Sequence, residues 1–154
     1  MRDSHDHHLE QLTADQVSRS FSHLCSVILR PRIAEIGVTW QAWGAKDVHN
    51  RPCGLLLAKR IASESGSILS VVSLVVTPDE RRKGVASRLL LHIRSAATQD
   101  GISRLHLSIP LERPCTAALH KLTPRRDGWT NSPGKVVVTL SDRCRVEPLL
   151  IRLE

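Results

Sequence analysis

The sequence contains no tyrosine and a single phenylalanine; three tryptophans complete its aromatic set. Any mechanism that needs a tyrosine is excluded, and the core must rest on Leu, Ile and Val. No C-x-x-C pair is present. The four cysteines, Cys25, Cys53, Cys115 and Cys144, stand far apart, which argues against a zinc ribbon or a thioredoxin-type site. No signal peptide is legible, so the cysteines read as reduced and the expected location is cytoplasmic. The apolar stretch Ser67 to Pro78 is too short to cross a bilayer, which takes about 20 apolar residues, and no membrane partner is expected. Eight Gly and eight Pro are too few for a collagen-like or linker-dominated chain. There are no internal repeats and no low-complexity tracts.

What is present fits one soluble domain. The 154 residues are 41% hydrophobic and 24% charged, enough for one full core and too few for two. The net charge of +7 favours anionic partners: a phosphorylated cofactor, nucleic acid or a membrane surface. Residues 1–8 are polar and carry His5, His7 and His8. They read as a disordered tail rather than a metal site, because no ligand partners recur at metal spacing. Residues 9–154 form the single domain.

Periodicity places the elements. Thr13 offers an N-cap, and Val17, Phe21, Leu24 and Ile28 share one face of a helix expected from Ala14 to Leu29, stopped by Pro31. Val38 to Trp43 alternates as a strand, and Lys46 to Pro52 is a turn. Gly54 to Ala62 is a second strand, Ser63 to Gly66 a second turn. Ser67 to Thr77, with Val71, Val72, Leu74, Val75 and Val76, reads as a third strand buried on both faces. These three strands make an antiparallel meander. Val85, Leu89, Ile93 and Ala97 then mark an amphipathic helix, which Asp100-Gly101 ends. Leu105 to Ile109 alternates as a strand. Strand, helix, strand implies a right-handed parallel crossover. A short helix from Thr116 to Leu122 and a polar loop from Pro124 to Gly134 follow. Lys135 to Leu140 and Val146 to Leu153 are expected to close the sheet as a hairpin, with Pro148 marking an edge or bulge.

The chemistry concentrates at Thr77 to Ser87, T-P-D-E-R-R-K-G-V-A-S. A strand ends, a short basic turn with one glycine follows, and a helix begins. The first amides of a helix have no internal partners, and its dipole adds positive charge there. Gly84 permits close approach of an anion to the backbone, and Arg81, Arg82 and Lys83 add charge. The arrangement suits phosphate. It is neither a Walker loop nor a dinucleotide fingerprint, since G-x-x-x-x-G-K-[ST] and G-x-G-x-x-G are both absent. On spacing alone, a solvated charged helix start accounts for it equally well.

Residues Leu74 to Leu90 resemble the acetyl-CoA-binding motif of the GCN5-related N-acetyltransferases, the GNAT family. That motif has the form V-x-P-x-x-[QR]-x-x-G-x-[GA], and Val76, Pro78, Arg81, Gly84 and Ala86 match it in place. The resemblance implies an α/β (α+β) fold, with a mixed, mostly antiparallel central sheet flanked by helices. It implies that Arg81, Arg82, Lys83, Gly84, Val85, Ala86 and Ser87 hold the pyrophosphate of coenzyme A, chiefly through the amides of Arg82 to Ser87. The backbone of Leu74, Val75 and Val76 would pair with the pantetheine arm and offer an N–H to the oxyanion.

The family's second motif, N-x-x-A-x-x-[LF]-Y-x-x-x-G-[FW], is only partly matched. Ala117-Ala-Leu-His120 puts histidine where the family has its tyrosine, and Gly128-Trp129 lies farther on than the pattern requires. His120 is the candidate general acid in that place; a packing or exposed histidine is the alternative. A histidine can donate a proton near neutral pH. His106 and Glu112 are candidate general bases, with a water relay as the default.

The function implied is an acetyl-CoA-dependent N-acetyltransferase. It would move an acetyl group from coenzyme A to a primary amine by direct attack in a ternary complex. A catalytically weak coenzyme A-binding module of the same fold is the first alternative. A nucleic-acid-directed (RNA-linked) protein is the second, motivated by the net charge and Arg125-Arg126, but its basic residues lack interleaved aromatics. The acceptor, a small-molecule or peptide amine, is not legible, and a homodimer is left open.

Overall fold

The computed structural model describes residues 6–64, 66–108, 121–123, 128–132 and 135–139. Among these, seven strands form one sheet in the order β1-β2-β3-β4-β5-β7-β6. They are β1 (His8–Leu12), β2 (Trp40–Lys46), β3 (Pro52–Ser63), β4 (Gly66–Val76), β5 (Arg104–Ser108), β6 (Thr130–Ser132) and β7 (Lys135–Thr139). Every neighbouring pair is antiparallel except β4 and β5, which are parallel. That pair is joined through helix α2 (Val85–Gln99), since parallel neighbours need a long crossover. The mixed, mostly antiparallel sheet is the one expected.

Both sheet faces are covered. On one, Val85, Leu89, Leu90, Ile93 and Ala97 of α2 pack against Trp43, Leu56, Leu69, Val71, Leu105 and Leu107. The apolar stripe read from the sequence is thus the buried stripe. Each of the buried Val, Leu and Ile side chains contributes about 1.5–3 kcal/mol by leaving water, so α2 is firmly seated. Its end is as expected: Gly101 takes φ +71°, and the Ile102 N–H donates to Ala97 O at 3.0 Å. On the other face Val17, Phe21, Leu24 and Ile36 cover Trp40, Ala42, Leu55 and Leu57. No helix among the described residues is long and apolar enough to cross a membrane.

The first helix differs from its expected form. Thr13 does cap it, its Oγ1 accepting from the Gln16 N–H at 3.2 Å while Gln16 Oε1 accepts from the Thr13 N–H at 2.8 Å. Regular α-helix covers only α1 (Ala14–Gln16). A π turn at Val17–Phe21 and a 3-10 turn at Ser22–Leu24 follow, and Cys25 is extended. Val17, Phe21 and Leu24 are buried, whereas Ile28 is 86% exposed. With no surface to bury Ile28 against, the helix ends early. Pro31 therefore does not stop it. Pro31 lies in the first turn of a 3-10 helix, Arg30–Glu35, where its missing N–H costs nothing.

The last residue of the segment expected to be a disordered tail, His8, is in a strand. His8 opens β1 and pairs with Lys46. Leu12 is buried and Leu9 packs on the α2-side core. Five mostly polar residues carry too weak an alternation to be recognised as an edge strand. The meander strands have slightly different limits. β2 begins after the exposed Val38 and runs on through Gly44 and Ala45, and β3 begins at Pro52. Gly44 is required by packing: a Cβ there would stand 2.6 Å from Leu12 Cδ1 and 2.7 Å from the Phe21 ring.

The polar loop expected from Pro124 to Gly134 contains β6, which pairs with β7. Strand β7 in turn pairs with β5, so β7 meets β6 and not a later strand among the described residues. The hairpin partner expected at Val146 to Leu153 lies outside the described residues. So does most of the expected Thr116–Leu122 helix, of which residues 121–122 are helical.

Candidate functional site

β4 and β5 diverge. Their register runs Ile68↔Arg104, Leu69↔Leu105, Ser70↔His106 and Val71↔Leu107, whereas β4 continues to Val76. On its other side β4 stays paired with β3 up to Val76↔Gly54, with a register shift between Leu57 and Ala58. Leu57 faces Ser73 and Ala58 faces Val71, so Val72 is the extra residue of a bulge. A bulge bends its strand and increases the local twist, and this one sits next to the last described pair with β5. β4 was expected to be buried on both faces. Leu69 and Val71 are buried on one face, but on the other face Ile68 and Ser70 are half-buried and Val72 is 42% exposed, and Leu74, Val75 and Val76 are half-buried. Beyond Val71 no described β5 residue pairs with β4. The β5-facing edge of Leu74 to Val76, unpaired among the described residues, has the form that an extended ligand takes up as an added strand.

The turn after β4 is held from below. The Thr77 N–H donates to Cys53 O at 2.8 Å, and Pro78–Glu80 form a 3-10 turn. Arg82 and Gly84 both lie in the left-handed region, at φ +65° and +81°. The first backbone bond of α2 runs from the Arg88 N–H to Gly84 O at 3.0 Å; earlier amides have no intrahelical acceptor. A Cβ at Gly84 would meet nothing within 4 Å, so the space before the start of α2 is open. Val85 is buried and can serve a ligand only through its amide. Ala86 and Ser87 are half-buried.

The cations of the turn divide in role. Arg81 Nε–H donates to Val76 O at 3.1 Å, tying the turn to the end of β4. Lys83 Nζ lies 3.3 Å from Glu80 Oε1. Arg82 is exposed and has no ion pair among the described residues. Glu80 also receives His7, whose Nε2 lies 2.7 Å from Oε2, and the other ring nitrogen of His7 lies 3.5 Å from Arg88 Nη1. The His7 hydrogen bond, then Lys83, hold the Glu80 carboxyl below its usual 4.5. Beneath the turn, burial pushes the Cys53 thiol up to about 11, and the negative charges of Glu80 and Asp47 add to the rise. Cys53 Sγ lies 3.4 Å from Ala45 O. His7 and Glu80 carried no role in the sequence reading. They are 73 positions apart, and no local pattern couples them.

Residues 9–122 of the chain match the family described as the acetyltransferase (GNAT) family. The chain belongs to the GNAT family. Among curated proteins none matches it by sequence. Its structure is similar to that of the ribosomal-protein-S18-alanine N-acetyltransferase from Escherichia coli, with a TM-score of 0.67 at 12% identity, covering 88% of this chain and 95% of that one. It is also similar to the aminoglycoside antibiotic 6'-N-acetyltransferase AAC(6')-Ih from Acinetobacter baumannii, with a TM-score of 0.62 at 13% identity, covering 75% and 88%. A third, AAC(6')-Iy in complex with the bisubstrate analog CoA-S-monomethyl-acetylneamine, gives a TM-score of 0.61 at 15% identity, covering 75% and 88%. At these identities the likeness is one of fold. GNAT proteins are acetyltransferases that use acetyl-CoA, and the cofactor expected from the motif is the family's cofactor.

The edge of β4, unpaired beyond Val71 among the described residues, and the open turn at Gly84 suit the two halves of that cofactor, a polyamide arm and a pyrophosphate. Of the candidate catalytic residues, His106 lies on β5 beside Ser70, within the paired stretch, and is half-buried between the buried Leu105 and Leu107. His120 and Glu112 lie outside the described residues, as do Arg125 and Arg126.

Proposed function

We propose that this GNAT protein is an N-acetyltransferase that passes an acetyl group from coenzyme A to a primary amine by direct attack within a ternary complex. The observation that carries the reading is the end of β4: the strand runs on past Val71↔Leu107, its last described pair with β5, and leads directly into the open, left-handed turn at Gly84. Bound acetyl-CoA supplies an acetyl group activated by a sulfur leaving group. The amides of Arg82 to Ser87 hold the pyrophosphate, with Arg82 free to add its charge. The backbone of Leu74, Val75 and Val76 orients the arm and presents an N–H to developing negative charge. A proton leaves the attacking amine toward water or, in the reading by residues, toward His106 Nε2 or a carboxylate oxygen of Glu112. His120 returns one to the departing sulfur.

The acceptor is a small-molecule or peptide amine. The similar structures include both an N-acetyltransferase of a ribosomal protein's alanine and one of aminoglycosides, so peptide and small-molecule amines belong in the same trial. The absence of tyrosine favours one second reading, a coenzyme A-binding module with weak turnover. Thiol release from acetyl-CoA with a panel of peptide, polyamine and aminoglycoside amines separates the two. Acceptor-dependent release supports the transferase. Tight coenzyme A binding without any such release overturns it in favour of the module.

A further inference from the structure

Glu80 sets an electrostatic problem. It is a carboxylate within the turn read as holding a pyrophosphate, four positions before Gly84. Left free, it would repel the phosphates. Its side chain is instead 15% exposed and engaged through both oxygens: Oε1 with Lys83 Nζ at 3.3 Å, Oε2 with His7 Nε2 at 2.7 Å. The His7 side chain is only 2% exposed, so the segment before β1 places it against the turn and not in solvent. Both ring nitrogens are engaged: an Nε2–H donates to the Glu80 carboxylate at 2.7 Å, and Nδ1 lies 3.5 Å from Arg88 Nη1. Arg88 lies on the first turns of α2, so one ring links the 3-10 turn before the phosphate cradle to the helix after it.

We propose that His7 is a positioning residue for the coenzyme A turn, holding the Glu80 carboxylate away from the phosphates and bracing that turn against α2. The proposal rests on the reading that the turn binds the pyrophosphate. It makes the segment before β1, outside the cofactor motif, a determinant of cofactor affinity while leaving it no part in acetyl transfer.

Titration calorimetry with coenzyme A, and steady-state kinetics with varied acetyl-CoA, test it on the full chain. His7→Ala is expected to weaken coenzyme A about fivefold, the scale of one partly screened charge contact. The KM for acetyl-CoA should rise by a similar factor, with kcat unchanged. His7→Gln, whose amide donates from the same distance, should recover most of the loss. In a Glu80→Gln background His7→Ala should have little effect, because the carboxylate it restrains is gone. If His7→Ala does not fold, His7→Asn, too short to reach Glu80, carries the same test. Wild-type affinity in the His7 variant, a fall in kcat instead of a rise in KM, or an effect that persists undiminished without the Glu80 charge overturns the proposal. Failure of the underlying reading looks different. In that case wild type binds no coenzyme A, or Gly84→Val does not disturb its binding.

Discussion

At Gly84 two demands meet in one residue. The backbone is left-handed, at φ +81°, and the space where a side chain would project is empty of protein. Gly84→Val is therefore expected to abolish most coenzyme A binding, because the new side chain fills the space proposed for the phosphate. Backbone strain should cost about 1–3 kcal/mol of stability. Calorimetric titration of the folded variant checks the first, and chemical denaturation the second. Unchanged affinity would remove the phosphate from this turn. His120 is a different kind of residue, chosen from motif position alone. If it protonates the departing sulfur, His120→Ala should lower kcat by about 10²-fold or somewhat less, with acetyl-CoA binding nearly unchanged. Wild-type kcat in that variant would leave protonation to water.

At the scale of elements, the end of β4 and the turn that follows act as one unit, because Arg81 reaches back to Val76 O. Arg81 and Arg82 are neighbours in sequence, but their substitutions should behave differently. Arg82→Gln is expected to weaken coenzyme A and leave pantetheine, which lacks the phosphates, unaffected. Arg81→Gln should weaken both, since it also loosens the strand edge proposed to pair with the arm. Binding of the two ligands to each variant decides; equal losses for Arg82→Gln would count against a phosphate contact. On the opposite sheet face, β2 and the helical turns after Thr13 meet at Gly44. A methyl group there would collide with Leu12 and with the ring of the buried Phe21. Gly44→Ala should cost about 1–3 kcal/mol by overpacking, read as a lower denaturation midpoint.

For the molecule as a whole, acid stability follows from two carboxylates. Glu80 is held below its usual 4.5 by His7 and then Lys83. Asp47 is held below its usual 3.8, first by the Arg51 N–H and also by the His49 N–H and the Arg51 side chain. A depressed folded-state value means that protons bind more readily to the unfolded chain. The stability these groups contribute is thus complete above their usual values and is lost as pH falls through the folded-state ones. Denaturation followed from pH 7 down through these values should show falling stability at the acid end. In His7→Ala the part due to Glu80 should flatten; an unchanged acid limb would mean that the His7–Glu80 contact contributes nothing in solution.

What the sequence determined by itself was local. The α2 stripe at Val85, Leu89, Ile93 and Ala97 repeats with the helical period, and the turn that precedes it carries its own chemistry in consecutive residues. Both could be read because each depends on neighbours a few positions away. The parallel β4–β5 pair followed as well, since a strand, a helix and a strand in succession have few ways to pack. The helical region after Thr13 was misread beyond Leu24, because tertiary burial of Val17, Phe21 and Leu24, not periodicity, sets where it ends. β1 escapes a reading by pattern because an edge strand of five residues gains its stability from β2, 30 to 38 positions away. The bulge at Val72 is set by the pairing of β4 with β3 and does not appear in a run of apolar residues. Likewise only the fold brings His7 to Glu80, across 73 positions. Composition and spacing encode what adjacent residues do together, whereas contacts between distant residues exist only once the sheet has formed.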